Sequence, residues 1–157
     1  MRRLALIALL ALGTPAFGHA ATPTPTLTPL SAADVPALLK PPAHGVRIIA
    51  LWSLDCVYCE ANMQTLAKWQ RAHPRDVELV TVATDGITQD GAIEARLKAA
   101  HMDGYPAYTY AEASPEHLDF LINPNWGGEM PRTEIVRADG KRGGISGAIS
   151  DAQLEKL

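Results

Sequence analysis

The chain has 157 residues, 47% of them hydrophobic and 20% charged, with 14 Lys and Arg against 17 Asp and Glu for a net charge of −3. That length and apolar content suffice for one domain with a buried core. The mild acidity, with no run of like charge and no basic face, argues against nucleic-acid binding.

Arg2 and Arg3 open the chain as a basic segment, and Leu4 to Leu12 follow as an apolar core. About nine residues are too few to span a bilayer, which takes about 20. Ala16-Phe17-Gly18-His19-Ala20 then offers small residues at cleavage positions. Residues 1–20 therefore read as a secretory signal peptide cut after Ala20, with a cut after Gly18 or an uncleaved anchor as the alternatives. Cleavage removes two arginines, makes the chain more acidic and leaves no stable membrane insertion. The expected location is a bacterial periplasm, where disulfides persist. Residues 21–33 follow, with Thr22-Pro23-Thr24-Pro25-Thr26-Leu27-Thr28-Pro29 as a Pro/Thr-rich flexible spacer of polyproline II character. The folded domain is then expected over residues 34–157.

Ser31 caps a short helix expected to reach Lys40, weakened by Pro36 and stopped by Pro41-Pro42. Val46 to Trp52, β-branched and apolar throughout, predicts a buried strand. A helix follows from Val57 to about His73, with Cys59, Met63 and Leu66 as its apolar stripe, and Pro74 ends it. Val77 to Ala83 predicts a second strand and Asp85-Gly86 a turn. Asp90 caps a helix to about His101, with Ile93, Leu97 and Ala100 on one face. Ala107 to Tyr110 predicts a short strand. Ser114-Pro115 starts a short helix to about Leu121. Asn123 to Gly128 is a loop. Thr133 to Arg137 is a strand, Ala138-Asp139-Gly140-Lys141 a hairpin turn, and Arg142 to Ser146 the returning strand. Ser150 caps a last helix toward Leu157. Strand–helix–strand alternation implies parallel pairing, and the hairpin adds an antiparallel pair. The fold class is α/β, a central mixed sheet flanked by helices on both faces.

The two cysteines of the chain stand together, in Cys56-Val57-Tyr58-Cys59. Residues at i and i+3 share a helix face, so both sulfurs can meet where the helix begins. The positive end of a helix dipole favours thiolate, the reactive form. A purely structural bridge here is a poor stabiliser. Closing a loop of about four residues gives roughly 2 kcal/mol, less than half of what a 100-residue loop gives. Zinc wants four ligands, and no His-x₃-His stretch completes the set. Haem attachment needs His after the second Cys, where Glu60 stands. Disulfide exchange is the favoured chemistry, with no metal and no organic cofactor. His44, His73, His101 and His117 are scattered over expected helix ends and loops. His101-Met102 beside the cysteines would allow Cu(I) carriage as a different class of function. A redox-silent interaction domain is a third.

The segment Trp52-Ser53-Leu54-Asp55-Cys56-Val57-Tyr58-Cys59 after a strand resembles the active-site segment of thioredoxin-fold proteins. Met130-Pro131 before the Thr133–Arg137 strand and Asp139-Gly140-Lys141 in the closing hairpin match the same fold. The extra helix near residues 115–121 and the leader are similar to the exported TlpA/ResA-like thiol–disulfide oxidoreductases. The resemblance spans residues 34–157. It implies that Cys56 is the nucleophile and Cys59 the resolving cysteine of a redox disulfide. It also implies that Pro131 is cis and faces the sulfurs, that Met130 presents backbone to an extended substrate, and that Trp52 walls the site, or packs in the core, or both. The Asn123–Gly128 loop with Trp126 is either substrate-side or a packed tryptophan with turn glycines. Two departures stand out. A buried acid is usual six residues before the first Cys or, in ResA-type relatives, a glutamate six residues after it. Here those positions are Ala50 and Asn62, so the usual proton acceptor is absent from both. Asp55 disfavours thiolate by like charge, while the helix end favours it. The function expected is an exported protein-disulfide reductase, moderately reducing, acting on a disulfide-containing protein and re-reduced by an upstream thiol donor. An oxidant or isomerase is the alternative within the class.

Overall fold

The computed structural model describes residues 26–157. The expected signal peptide and the start of the spacer lie outside the described residues. Among the described residues, six strands form one sheet in the order β1-β4-β3-β2-β5-β6. They are β1 (Leu27–Leu30), β2 (Val46–Trp52), β3 (Val77–Gly86), β4 (Ala107–Tyr110), β5 (Arg132–Arg137) and β6 (Arg142–Ser146). The first four run parallel, β5 is antiparallel to β2, and β6 is antiparallel to β5. This is the mixed α/β sheet that the sequence pattern predicts.

The apolar run of β2 serves both faces of the sheet, as expected of a strand covered on each side. Ile48, Ala50 and Trp52 join a core with Met63 and Leu66 of α2 (Cys59–Ala72) and Ile93 and Leu97 of α3 (Asp90–Ala99). Ile49 and Leu51 join a second core with Val35 and Leu38 of α1 (Val35–Leu38) and Leu118 and Ile122 of α4 (Pro115–Ile122). Leu154 of α5 (Asp151–Leu154) closes the first core. Gly45 leads into β2 with φ +63, and a Cβ there would lie 1.9 Å from the Asp76 carbonyl oxygen, so only glycine suits the position.

Three expectations are corrected. Residues 27–30, read as part of a flexible spacer, form β1 alongside β4. Leu27 and Leu30 sit three apart, so they point to opposite faces and anchor one in each core. Pro29 costs no ladder bond with β4: the Leu30 carbonyl accepts from Ala111 N–H at 2.9 Å, so alternation turns Pro29 away from β4. The helix expected from Ser31 to Lys40 contracts to α1. Asp34 instead folds back onto Ser31, whose N–H and hydroxyl donate to its carboxylate at 3.0 and 2.6 Å, and Pro36 falls in the first turn. The cysteine helix begins at Cys59 rather than Val57.

One polar contact docks α4 on the sheet. The Tyr110 hydroxyl donates to Asp119 Oδ1 at 2.6 Å. Burial pushes the Asp119 carboxyl above its ordinary value, against the pull of that hydrogen bond, and Glu116 adds to the push. The folded chain therefore holds this proton more tightly than the unfolded chain. The resulting stability is complete below about pH 3.9, the unfolded value, and is lost as pH rises through the folded value. Asp119→Asn keeps an acceptor for Tyr110 and carries no charge. It is expected to gain stability relative to wild type between about pH 3 and pH 7. Urea titrations at both pH values measure this, and a relative loss on raising the pH contradicts it.

Candidate active site

The parallel strands β2 and β3 end side by side, and the chain leaves β2 at Trp52 directly into Ser53–Tyr58. Two tethers hold that loop to the end of β3. Leu54 N–H donates to Asp85 Oδ2 at 2.9 Å, and the Thr84 hydroxyl reaches the Trp52 carbonyl at 3.5 Å. Asp85 is in turn fixed by Thr109, whose hydroxyl donates to the Asp85 carbonyl at 2.6 Å. The sequence shows Asp85 only as a turn residue. Its position at the carboxyl end of the strand beside the cysteine strand is the signal that marks it.

Cys56 and Cys59 are joined as a disulfide, with their Cα atoms 5.4 Å apart. They close a turn ahead of the helix instead of sharing a helical face. Cys56 N–H donates to the Ser53 carbonyl at 3.2 Å, and Cys59 N–H to the Cys56 carbonyl at 3.4 Å. Cys59 is the first residue of α2 and is 1% exposed, whereas Cys56 is only partly buried. Val57 and Tyr58 between them are 84% and 70% exposed. Cys56 is thus the more accessible of the two, although it also packs against the first core, and both stand at the positive end of a 14-residue helix.

The β2–β5 ladder runs to Leu51 opposite Arg132, and one more step places Pro131 opposite Trp52. Met130-Pro131 is a cis peptide bond, and the Pro131 carbonyl accepts from Gly147 N–H at 2.8 Å. Pro131 is buried, while Met130 is partly exposed and packs against both cores at the end of the sheet. Trp52 is 1% exposed and shares the first core with Cys59, the core-aromatic alternative.

Ala50 and Asn62, the positions lacking an acid, meet at one residue. Ala50 pairs across the ladder with Thr133, and Asn62 Nδ2 donates to Thr133 Oγ1 at 3.4 Å. Asn62 Oδ1 accepts from Ile149 N–H at 2.8 Å. Asn62 lies one turn below Cys59 on α2 and is 3% exposed. A satisfied, neutral pair thus occupies the core under the buried sulfur. On the other face of β5, Glu134 is 1% exposed and ion-paired with Arg132 at 2.6 Å. In the sequence neither stands out, since R-T-E-I-V reads as an ordinary strand.

His101-Met102 does not approach the cysteines. It follows the far end of α3, Met102 is buried, and the adjacent Tyr105 hydroxyl bonds Gln70 in the last turns of α2. Copper ligation by this pair together with the cysteines is thereby corrected. Trp126 is 6% exposed, the packed alternative for the Asn123–Gly128 loop, and its indole N–H donates to the Glu129 carbonyl at 3.0 Å.

No protein-family model and no curated protein matches the chain. Solved structures do match. A thioredoxin-related protein from Neisseria meningitidis serogroup B aligns with a TM-score of 0.56 at 26% identity, covering 72% of this chain and 82% of that one. A thioredoxin-family thiol:disulfide interchange protein from Chlorobium tepidum TLS aligns with a TM-score of 0.55 at 20% identity, over 87% and 95% of the two chains. A secreted Mycobacterium tuberculosis disulfide oxidoreductase homologous to E. coli DsbE gives 0.54 at 19% identity, over 72% and 82%. The chain has the thioredoxin-like fold, and its structural neighbours are thiol–disulfide oxidoreductases and their relatives.

Proposed function

We propose that this thioredoxin-like protein is an exported thiol–disulfide oxidoreductase of the TlpA-like kind that reduces disulfides in other proteins. The observation that carries the reading is the Cys56–Cys59 bridge at the start of α2, with Cys56 partly exposed and Cys59 buried. In the reduced protein the Cys56 thiolate attacks a substrate disulfide. A Cys56–substrate S–S bond forms, the substrate S–S bond breaks, and the leaving thiolate takes up a proton. Cys59 gives up its proton and attacks the Cys56 sulfur, which frees the second substrate thiol and restores the bridge. Two electrons and two protons pass to the substrate, and an upstream thiol donor returns them. No organic cofactor enters this cycle. Met130 and Pro131, at the end of β5 beside this loop, present backbone to an extended substrate segment.

Export rests on the leader read over residues 1–20 and agrees with the secreted character of the Mycobacterium tuberculosis neighbour. The reducing direction rests on charge. A strong oxidant stabilises its reduced thiolate. Here Asp55 precedes Cys56, Asp85 holds the loop, and Val57 and Tyr58 supply no cation. The neutral Asn62–Thr133 pair adds no positive charge below. The potential is therefore expected well below the about −120 mV of DsbA. Equilibration against glutathione measures it, and a turbidity assay of insulin reduction in dithiothreitol tests the activity. A potential near that of DsbA overturns the reductase assignment, and failure to accelerate insulin reduction overturns the activity.

A further inference from the structure

We propose that the buried Glu134–Arg132 pair is a positioning device that fixes the Glu129–Met130 edge for a polypeptide substrate; this rests on the disulfide-exchange reading above. Two charges taken out of water cost several kcal/mol each, and well-packed apolar side chains would serve the core as well or better. The cross-strand neighbours are indeed apolar, Ile49 opposite Glu134 and Leu51 opposite Arg132. What the pair supplies that leucines would not is directional bonding to the segment before Pro131.

That segment is held at both ends by one carboxylate. Asn123 Nδ2, where the chain leaves α4, donates to the two Glu134 oxygens at 2.9 and 3.1 Å. Arg132, just past the cis bond, donates to Glu134 Oε1 through Nε at 2.7 Å and pairs with it through Nη2 at 2.6 Å. Arg132 Nη1 continues to Ser146 Oγ at 2.9 Å, and that hydroxyl donates to Glu129 Oε2 at 3.3 Å. The guanidinium also stands 5.9 Å from the centre of the Trp126 ring, whose N–H holds the Glu129 carbonyl. Strand β6 makes room for the pair. A Cβ on Gly144 would lie 1.8 Å from Arg132 Nη2 and 2.4 Å from Glu134 Oε1, so bare backbone is required there.

The chain from Asn123 to Arg132 is thus cross-braced on an unexposed ion pair and ends at the partly exposed Met130. A polypeptide that docks beside Met130 needs this edge at a fixed height, since displacements near 1 Å cost up to about 10²-fold in rate. A small disulfide without a peptide backbone does not use the edge. Glu134 and Arg132 then discriminate between substrate classes without touching either sulfur.

Two variants test this. Glu134→Gln removes the charge and keeps the shape. The double variant Arg132→Met with Glu134→Leu replaces the pair by apolar groups and retains a folded core. Rates are compared for insulin and for hydroxyethyl disulfide, with the Cys56–Cys59 potential as a further readout. In both variants the loss with insulin is expected to exceed the loss with the small disulfide by about tenfold, chiefly through KM, with the potential unmoved. An equal loss with both disulfides, or a wild-type ratio in the folded double variant, overturns the proposal. A wild-type protein inert toward both disulfides refutes the exchange reading itself, a separate result.

Discussion

Cys59→Ser is expected to convert a turnover enzyme into a trap. The Cys56 sulfur of this variant still attacks a substrate disulfide, but no second thiol releases the mixed disulfide. Non-reducing mass spectrometry after incubation with a substrate that holds an intramolecular disulfide should then show the variant at its own mass plus that of the substrate. Cys56→Ser should show no adduct and reduce insulin no faster than buffer. The asymmetry follows from position: Cys59 is 1% exposed, whereas Cys56 is partly exposed. An adduct on Cys56→Ser and none on Cys59→Ser would reverse the two roles. Serine keeps the volume of cysteine closely enough that neither change is expected to unfold the domain.

Glu134→Ala is expected to cost about 3–5 kcal/mol, a large part of the roughly 5–15 kcal/mol that holds a domain together. The loss comes less from the missing attraction than from what stays behind. Arg132 is 7% exposed and would keep only Ser146 and the Trp126 face as partners. Asn123 would lose both of its acceptors on Glu134. Urea denaturation followed by circular dichroism measures the cost. A loss under about 1 kcal/mol would mean that Arg132 re-solvates with ease and that the pair is not a tight brace. Comparison with the apolar double variant separates the cost of an orphaned charge from the value of the pair itself.

The contrast between these two sites shows what a sequence carries on its surface. Cys56 and Cys59 are legible because thiol chemistry is written in two letters three positions apart, and β2, β4 and β6 because unbroken apolar runs or turn residues bound them. Pro131 is legible only through resemblance. The Arg132–Glu134 brace is not legible, because alternating charge along a strand ordinarily marks a solvated face. Its burial depends on Asn123, Trp126 and Ser146, brought in from separate elements. The meeting of Ala50, Asn62 and Thr133 is likewise a matter of strand register, which no local pattern encodes. β1 hides for another reason. Its Thr28-Pro29 continues a Thr/Pro run that spells a linker, and the two leucines that dock it face opposite ways.

Pro29 gives that first strand a further consequence. Among the described residues the strand lies at the border of the sheet, where a second polypeptide of any kind could zip on by backbone bonding. The ring nitrogen of Pro29 faces away from β4 and offers no hydrogen to a visitor. Under the proposed function, a protein whose working end must stay open to other polypeptides thus keeps a blunted seam at its flank, where those same chains would otherwise nucleate aggregates.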